Sequence, residues 1–357
     1  MPESKKGNGF QNWSDRLKAL FRYERPDRVP IGSMGMGFNA RNAGYSVQEV
    51  LEDPEKCFNA MTWTARLYQW DPLQTPFHTV WGAIDFGGRV RMPKGEYESS
   101  LIILSHPVQS EKDLENLQMP NPRTAGRIQT AMGFAKKQAG NGLPVFFFSR
   151  SPFTLASNIC GLETFCRWMF KNPEACEKLI EMALEHTLNV LAYWVESFGA
   201  ENLFVWMSNP SESNQVISPK HMSRFALPHH IEYQKRLKEM GITKFGLHMC
   251  GDQNANLPYF SEADCWPHPA VLSFGHEVEI EAAAKSFPED IIFGNLEPNL
   301  LQMETPNQIY ERCKNILAAG KKAPGGFIMG PGCGIPATAP PVNVFAMTHA
   351  VNDFGRY

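Results

Sequence analysis

This chain of 357 residues has no apolar run approaching the roughly 20 residues that a membrane-spanning helix needs. Its opening, MPESKKGNGFQNW, has no apolar core, so no secretory signal is expected. It also lacks a basic run, and its formal net charge is only −3, which argues against nucleic acid as a partner. No G-x-G-x-x-G follows the first strand-like segment and no P-loop occurs, so a nucleotide-binding sheet is disfavoured. The eight cysteines are scattered, without the spacing of a disulfide framework. Reduced thiols in a cytoplasmic protein are the expected state. No internal repeat and no low-complexity segment breaks the chain.

What is present is a regular alternation. Residues 1–9 are polar and read as a mobile tail, leaving one domain over residues 10–357. NWSDRLKALFRY has helical periodicity, and RPDRVPIGSM ends that helix at proline and begins a short strand. Helical pattern returns over residues 47–70, and DPLQTPF is a candidate strand near Pro72. Residues 79–108, containing TVWGAIDFGGRVRMPKG and SSLIILSHPV, read as an antiparallel insertion with a Gly-Gly turn. Six apolar strands follow: LPVFFFSRS, ENLFVWMSNP, KFGLHMCG, AVLSFGHE, DIIFGNLEP and GGFIMGPGCG. Between them lie helical stretches that include 162–170, 173–198, 220–240, 278–286 and 305–319. Continuous apolar strands separated by helices mean a parallel sheet covered on both faces. Counting RVPIGSM and the strand near Pro72, eight strand–helix units predict an α/β fold closed as a (β/α)8 TIM barrel.

Chemistry in such a barrel sits at the C-terminal ends of the strands. Those ends present Ser149, Ser151, Asn209, Glu212, His248, Cys250, His276, Glu277, Asn295, Glu297 and Cys333. In FGLHMCGD, His248 and Cys250 are two residues apart and share a face of their strand. With Cys333 from the last strand they form a soft N/S set suited to zinc, with a fourth position open. The bland alternative is a hydrogen-bonded histidine beside cysteines that act as small hydrophobes. A second pair with ligand-like spacing, Cys265 and His268 in DCWPHP, lies in a proline-rich loop and reads as loop packing or a substrate-gate contact. His78, His106, His186, His221, His229, His230 and His349 read as ordinary surface or capping histidines.

Several long segments follow in order: RPDRVPI, SPFTLASNICGLETF, ISPKHMSRFALP, GLHMCGD, IIFGNLEP and FIMGPGCGIPATAPPVNVFAM. Together, over nearly the whole chain, they resemble the uroporphyrinogen decarboxylase superfamily. Within the superfamily, the H-x-C and the later G-C-G-I-P resemble the zinc-dependent branch that moves methyl groups to or from corrinoids. The resemblance implies His248, Cys250 and Cys333 as three zinc ligands. The decarboxylase branch is disfavoured, because its arginine-rich element after the first strand is replaced by GSMGMGFNARNAG. Arg41 is the only positive charge nearby, and the family's aspartate-bearing strand end is replaced by MSNPSES. Four carboxylate-bearing pyrroles would need more cations than this. Near the missing aspartate, Glu212 is expected to be a reversible fourth ligand or a general acid–base, against the alternative of a loop carboxylate or helix cap. Asp252 and Glu277 are candidate partners for the ring of His248.

The resemblance implies a methyltransferase working between a corrinoid and a small thiol, methyl ether or other methylated compound, with the direction open. No D-x-H-x-x-G cobalamin segment occurs, so a separate corrinoid protein is expected to dock transiently on loops 149–154, 209–214 and 332–337. Ser151, Asn209 and Pro336 are the expected corrinoid contacts. The insertion is expected to wall the substrate pocket through Trp81, Phe86 and Tyr97, or else to form a homodimer contact. The rival functions are a metal-free tetrapyrrole decarboxylase and a non-catalytic corrinoid-binding module.

Overall fold

The computed structural model describes residues 13–71, 79–95 and 97–357. The tail expected over residues 1–9, His78 and the candidate strand near Pro72, apart from Asp71, fall outside these. A small antiparallel hairpin comes first, β1 (Arg89–Arg91) with β2 (Ile102–Ser105). Six parallel strands follow in chain order: β3 (Val145–Arg150), β4 (Leu203–Ser208), β5 (Phe245–Met249), β6 (Val271–Phe274), β7 (Ile291–Leu296) and β8 (Phe327–Pro331). The remaining barrel positions are short. Ile31 bridges in parallel to Met329 on β8, and Asp71 N donates to Ile31 O. Thr79 N donates to Phe148 O on β3, so the ring returns to its first long strand. This is the expected (β/α)8 barrel, with the expected antiparallel insertion between residues 79 and 108. The insertion differs in one detail. Gly87 and Gly88 precede β1, and the hairpin turns through the residues between Arg91 and Ile102.

Helix boundaries follow local chemistry. The stretch expected as one helix over residues 47–70 is two, Val47–Glu52 and Pro54–Leu67. Ser46 and Glu49 form a reciprocal cap on the first, and Asp53 caps the second ahead of Pro54. The 220–240 stretch is also interrupted. A π-helical segment, Met222–Ala226, precedes the α-helix Leu227–Glu239. Pro228 has no N–H and its ring crowds the preceding turn, so a widened turn accommodates it.

Alternation along the strands fills the barrel interior. Phe146 of β3, Phe204 and Trp206 of β4, Val271 of β6, Ile291 and Phe293 of β7 and Ile328 of β8 form one buried cluster. Leu17 and Leu20 of the helix Trp13–Leu20 pack into the same cluster and close its lower end. Gly246 on β5 makes room for it, since a Cβ there would lie 2.3 Å from the Trp206 ring. With the lower interior filled by aromatic rings, polar inward residues are left to the upper ends of the strands.

Asp71 ties the closing helix to the ring. It pairs with Arg16 and with Arg28, and accepts the Ile31 N–H at 2.9 Å; the side chains of Asp71 and Arg16 are 5% and 7% exposed. Removing the carboxylate would break two largely buried ion pairs, leaving Arg16 with Asp27 alone and Arg28 with the Val29 carbonyl. Asp71→Ala should therefore cost about 3–5 kcal/mol in denaturant unfolding. Glu55→Ala, which breaks an exposed pair with Lys137, should cost about 1 kcal/mol or less.

Candidate metal centre

β5 ends with His248 and Cys250 on its inward face, and β8 runs into the turn that carries Cys333. The ligand atoms of these three residues lie within 4.8 Å of one another, the one such group among the described residues. The two sulfurs are 3.8 Å apart. His248 is buried; its Nδ1 lies 3.0 Å from Ser273 Oγ on β6, while Nε2 has no hydrogen-bond partner. An imidazole that donates from Nδ1 to a hydroxyl leaves Nε2 as a bare acceptor.

These features fit zinc. Two zinc–thiolate bonds of about 2.3 Å at the tetrahedral angle span roughly 3.8 Å between sulfurs. A buried acceptor nitrogen without a donor is costly unless a cation takes it. The thiols are already unequal. A hydrogen bond from Cys250 holds Cys333 well below the ordinary thiol range, against the effect of burial. The same bond and burial push Cys250 up.

The group borders a cavity of about 420 Å³ at the barrel mouth. Its walls are largely apolar, with Met34, Leu51, Trp81, Phe148 and Ile335 among them. Gly37 lets the loops close around it, because a Cβ there would lie 2.4 Å from Ser99 Oγ and 2.9 Å from Ala337. The insertion does wall the cavity, through Trp81 and Ser99–Leu101. Phe86 is instead buried against the His186 ring, and Tyr97 is 81% exposed.

Glu212 lies elsewhere. It is fully buried and accepts hydrogen bonds from Ser151 Oγ, from Asn209 Nδ2 at 2.9 Å and from His230 Nε2 at 2.8 Å. It belongs neither to the metal-ligating group nor to the cavity wall. Ser151 and Asn209 are likewise buried in this network, with Ser151 also capping the helix Pro152–Cys160, so the rim contact expected of them is not what the structure presents. Pro336 does line the cavity, as does Pro210. The expected partners of His248 are replaced by Ser273. Asp252 instead accepts from Asn254, and Glu277 lies 3.5 Å from His276. His268 sits between Asp264 and Asp290, with both ring nitrogens engaged, and joins no metal-ligating group with Cys265. His186 and His230 are buried partners of Asp85 and Glu212, not surface histidines.

The cation at this mouth is Arg150, not Arg41. Arg150 lines the cavity, whereas Arg41 borders a separate pocket beside residues 337–341. Burial pulls the Arg150 guanidinium below its ordinary value, and the two sulfurs oppose that shift. The signal was available in the strand, because Phe146, Phe148 and Arg150 alternate on one face and Ser149 lies on the other.

The uroporphyrinogen decarboxylase (URO-D) family profile matches residues 13–354, and the chain belongs to that family. It is 23% identical over 346 residues to a methylcobamide:CoM methyltransferase, MtbA, of Methanosarcina acetivorans, covering 95% of this chain and 97% of the relative. It is 27% identical over 261 residues to a uroporphyrinogen decarboxylase of Myxococcus xanthus, with 70% of each chain covered. In three dimensions it superposes on a methyltransferase from Methanosarcina mazei with a TM-score of 0.80 at 21% identity, covering 96% of this chain and 99% of the other.

If the three residues hold zinc, Cys333→Ala should lose it while staying folded, since barrel packing does not depend on a side chain at the mouth. Ser273→Ala should weaken zinc binding by roughly 10–100-fold by releasing the ring of His248. Metal content by mass spectrometry, with competition against a zinc chelator, reads both; circular dichroism confirms the fold.

Proposed function

We propose that this protein is a zinc-dependent methyltransferase that moves a methyl group between a corrinoid and a small thiol or methylated compound. The observation that carries this reading is the His248–Cys250–Cys333 group facing an apolar cavity, with an unpartnered imidazole nitrogen and two sulfurs at tetrahedral-edge spacing. Full-length similarity to a methylcobamide:CoM methyltransferase supports it. Three ligands leave one coordination position for a substrate atom, as in catalytic zinc sites. Bound zinc would keep a substrate thiol deprotonated yet nucleophilic, or polarise an ether or alcohol oxygen in the reverse transfer.

The chain's own residues set up that chemistry. Ser273 fixes the ring of His248 so that Nε2 faces the sulfurs. Cys250 and Cys333 would hold the metal as thiolates; their shared hydrogen bond favours loss of the Cys333 proton and retention of the Cys250 one. Trp81, Met34 and Leu51 give the cavity beside the sulfurs an apolar lining. Glu212, held by Ser151, Asn209 and His230, positions the loops after β3 and β4 and does not exchange protons with substrate. The corrinoid approaches over the rim that includes Pro210 and Pro336, carried by a separate protein in a transient complex. A tetrapyrrole decarboxylase is the weaker reading, because Arg150 is the single Lys or Arg on the cavity wall among the described residues.

The test is turnover of methylcobalamin by zinc-loaded protein with a panel of thiols, and of cob(I)alamin with methyl ethers and methylated thiols, followed by the corrinoid spectrum. Free methylcobalamin should react slowly and a cognate corrinoid protein faster. Cys333→Ala should lower either rate by at least about 100-fold, in line with the several kcal/mol that a catalytic metal contributes. No reaction with any corrinoid in either direction would remove methyl transfer.

A further inference from the structure

A carboxyl group and an imidazole are buried together outside the site described above. The side chains of Asp85 and His186 are fully buried, with Asp85 Oδ2 3.1 Å from His186 Nε2. The proposed chemistry uses neither. Burial pushes the Asp85 carboxyl above its ordinary value, so the group is kept here against a desolvation cost.

What Asp85 holds is Trp81. Its Oδ2 accepts the Trp81 N–H at 2.8 Å, and its own N–H donates to the Trp81 carbonyl at 2.9 Å. One residue thus takes both backbone polar groups of Trp81. Trp81 is the aromatic ring that the insertion presents to the cavity, and the Arg150 guanidinium lies over it at 5.7 Å.

The turn between the two, Gly82–Asp85, is four residues long, too short to hold its shape by helical hydrogen bonds alone. It is clamped from outside instead. Gly82 lies flat on the helix Pro152–Cys160, where a Cβ would come 2.8 Å from the Leu155 carbonyl oxygen. Gly126 abuts the other carboxyl oxygen of Asp85 so closely that a Cβ would overlap it. His186, on the helix Pro173–Phe198, closes the third side. Its Nε2–H donates to Asp85, and its ring meets that of Phe86 edge-on at 5.2 Å.

We infer that Asp85 and His186 are positioning residues for the cavity: acting through the Trp81 backbone, they set where the indole stands and so the width of the approach to the two sulfurs. The inference rests on the proposed function only in taking this cavity as the substrate site, and it is separable from turnover.

Alkylation of the cavity sulfurs tests it. Native protein, as purified, would be treated with iodoacetamide and with the bulkier N-(1-pyrenyl)maleimide, and the rate at each cysteine read by peptide mass mapping. The bulky-to-small rate ratio at Cys250 and Cys333 reports the width of the approach and cancels the reactivity of the sulfurs themselves. Cys265, partly exposed and outside the cavity, reports general loosening. Asp85→Ala and His186→Phe should each raise the ratio at the cavity sulfurs at least about fivefold, with the ratio at Cys265 unchanged. Asp85→Asn, which keeps an oxygen for both donors, should restore most of the wild-type ratio. Trp81→Ala should raise the ratio by itself, and adding Asp85→Ala should raise it no further, because a residue acting through Trp81 then has nothing to move. Where Asp85→Ala does not fold, His186→Phe alone and with Trp81→Ala gives the same readings. The inference is overturned if these variants leave the ratio unchanged, if their full effect adds to that of Trp81→Ala, or if the ratio rises equally at Cys265. The expected ratios in a protein that transfers no methyl group would remove the proposed function and leave the positioning of Trp81 standing.

Discussion

A parallel strand in a closed barrel sends alternate side chains to the axis, and the interior of this barrel is narrow. Phe146, Phe204, Trp206 and Phe293 occupy the lower part, and Leu17 and Leu20 seal it from below. The inward positions above them are Phe148 and Arg150 on β3, Ser208 on β4 and His248 on β5, with Cys250 just beyond. Packing thus decides where chemistry can be placed. The rings beneath and the insertion beside it leave the mouth as the approach for a substrate.

The same alternation explains what could be read from the residues and what could not. The six long strands and the helix Pro173–Phe198 were legible because apolar runs and 3.6-residue periodicity are strong local signals. His248 and Cys250 were legible as a pair from their spacing of two. Arg150 was missed because serines on either side look more functional, although the parity of Phe146 and Phe148 assigns the inward position to the arginine. Ser273 was missed for another reason. The register of β5 against β6 sets His248 beside Ser273, and no local pattern states a register between strands 25 residues apart. Glu212 was legible as an important carboxylate but not as a buried one, since its burial depends on His230 from a helix that packs back over the strand ends.

Two kinds of buried polarity therefore coexist in the barrel and behave differently. Glu212 has three donors, and the Asp71 carboxylate has two guanidinium groups and a backbone N–H. Such satisfied networks hold loops and helices in place. His248 Nε2 and the guanidinium of Arg150 have no such partners within the described residues. Both face one cavity from two strands, and a metal ion is the proposed partner of the first.

X-ray absorption at the zinc edge tests the central claim most directly. The account predicts a shell of two sulfurs at about 2.3 Å, one imidazole nitrogen and one light exchangeable atom, with a third sulfur replacing the light atom when a thiol ligand is added. A sulfur-free shell, or one complete with four protein ligands and unchanged by thiol, would contradict it.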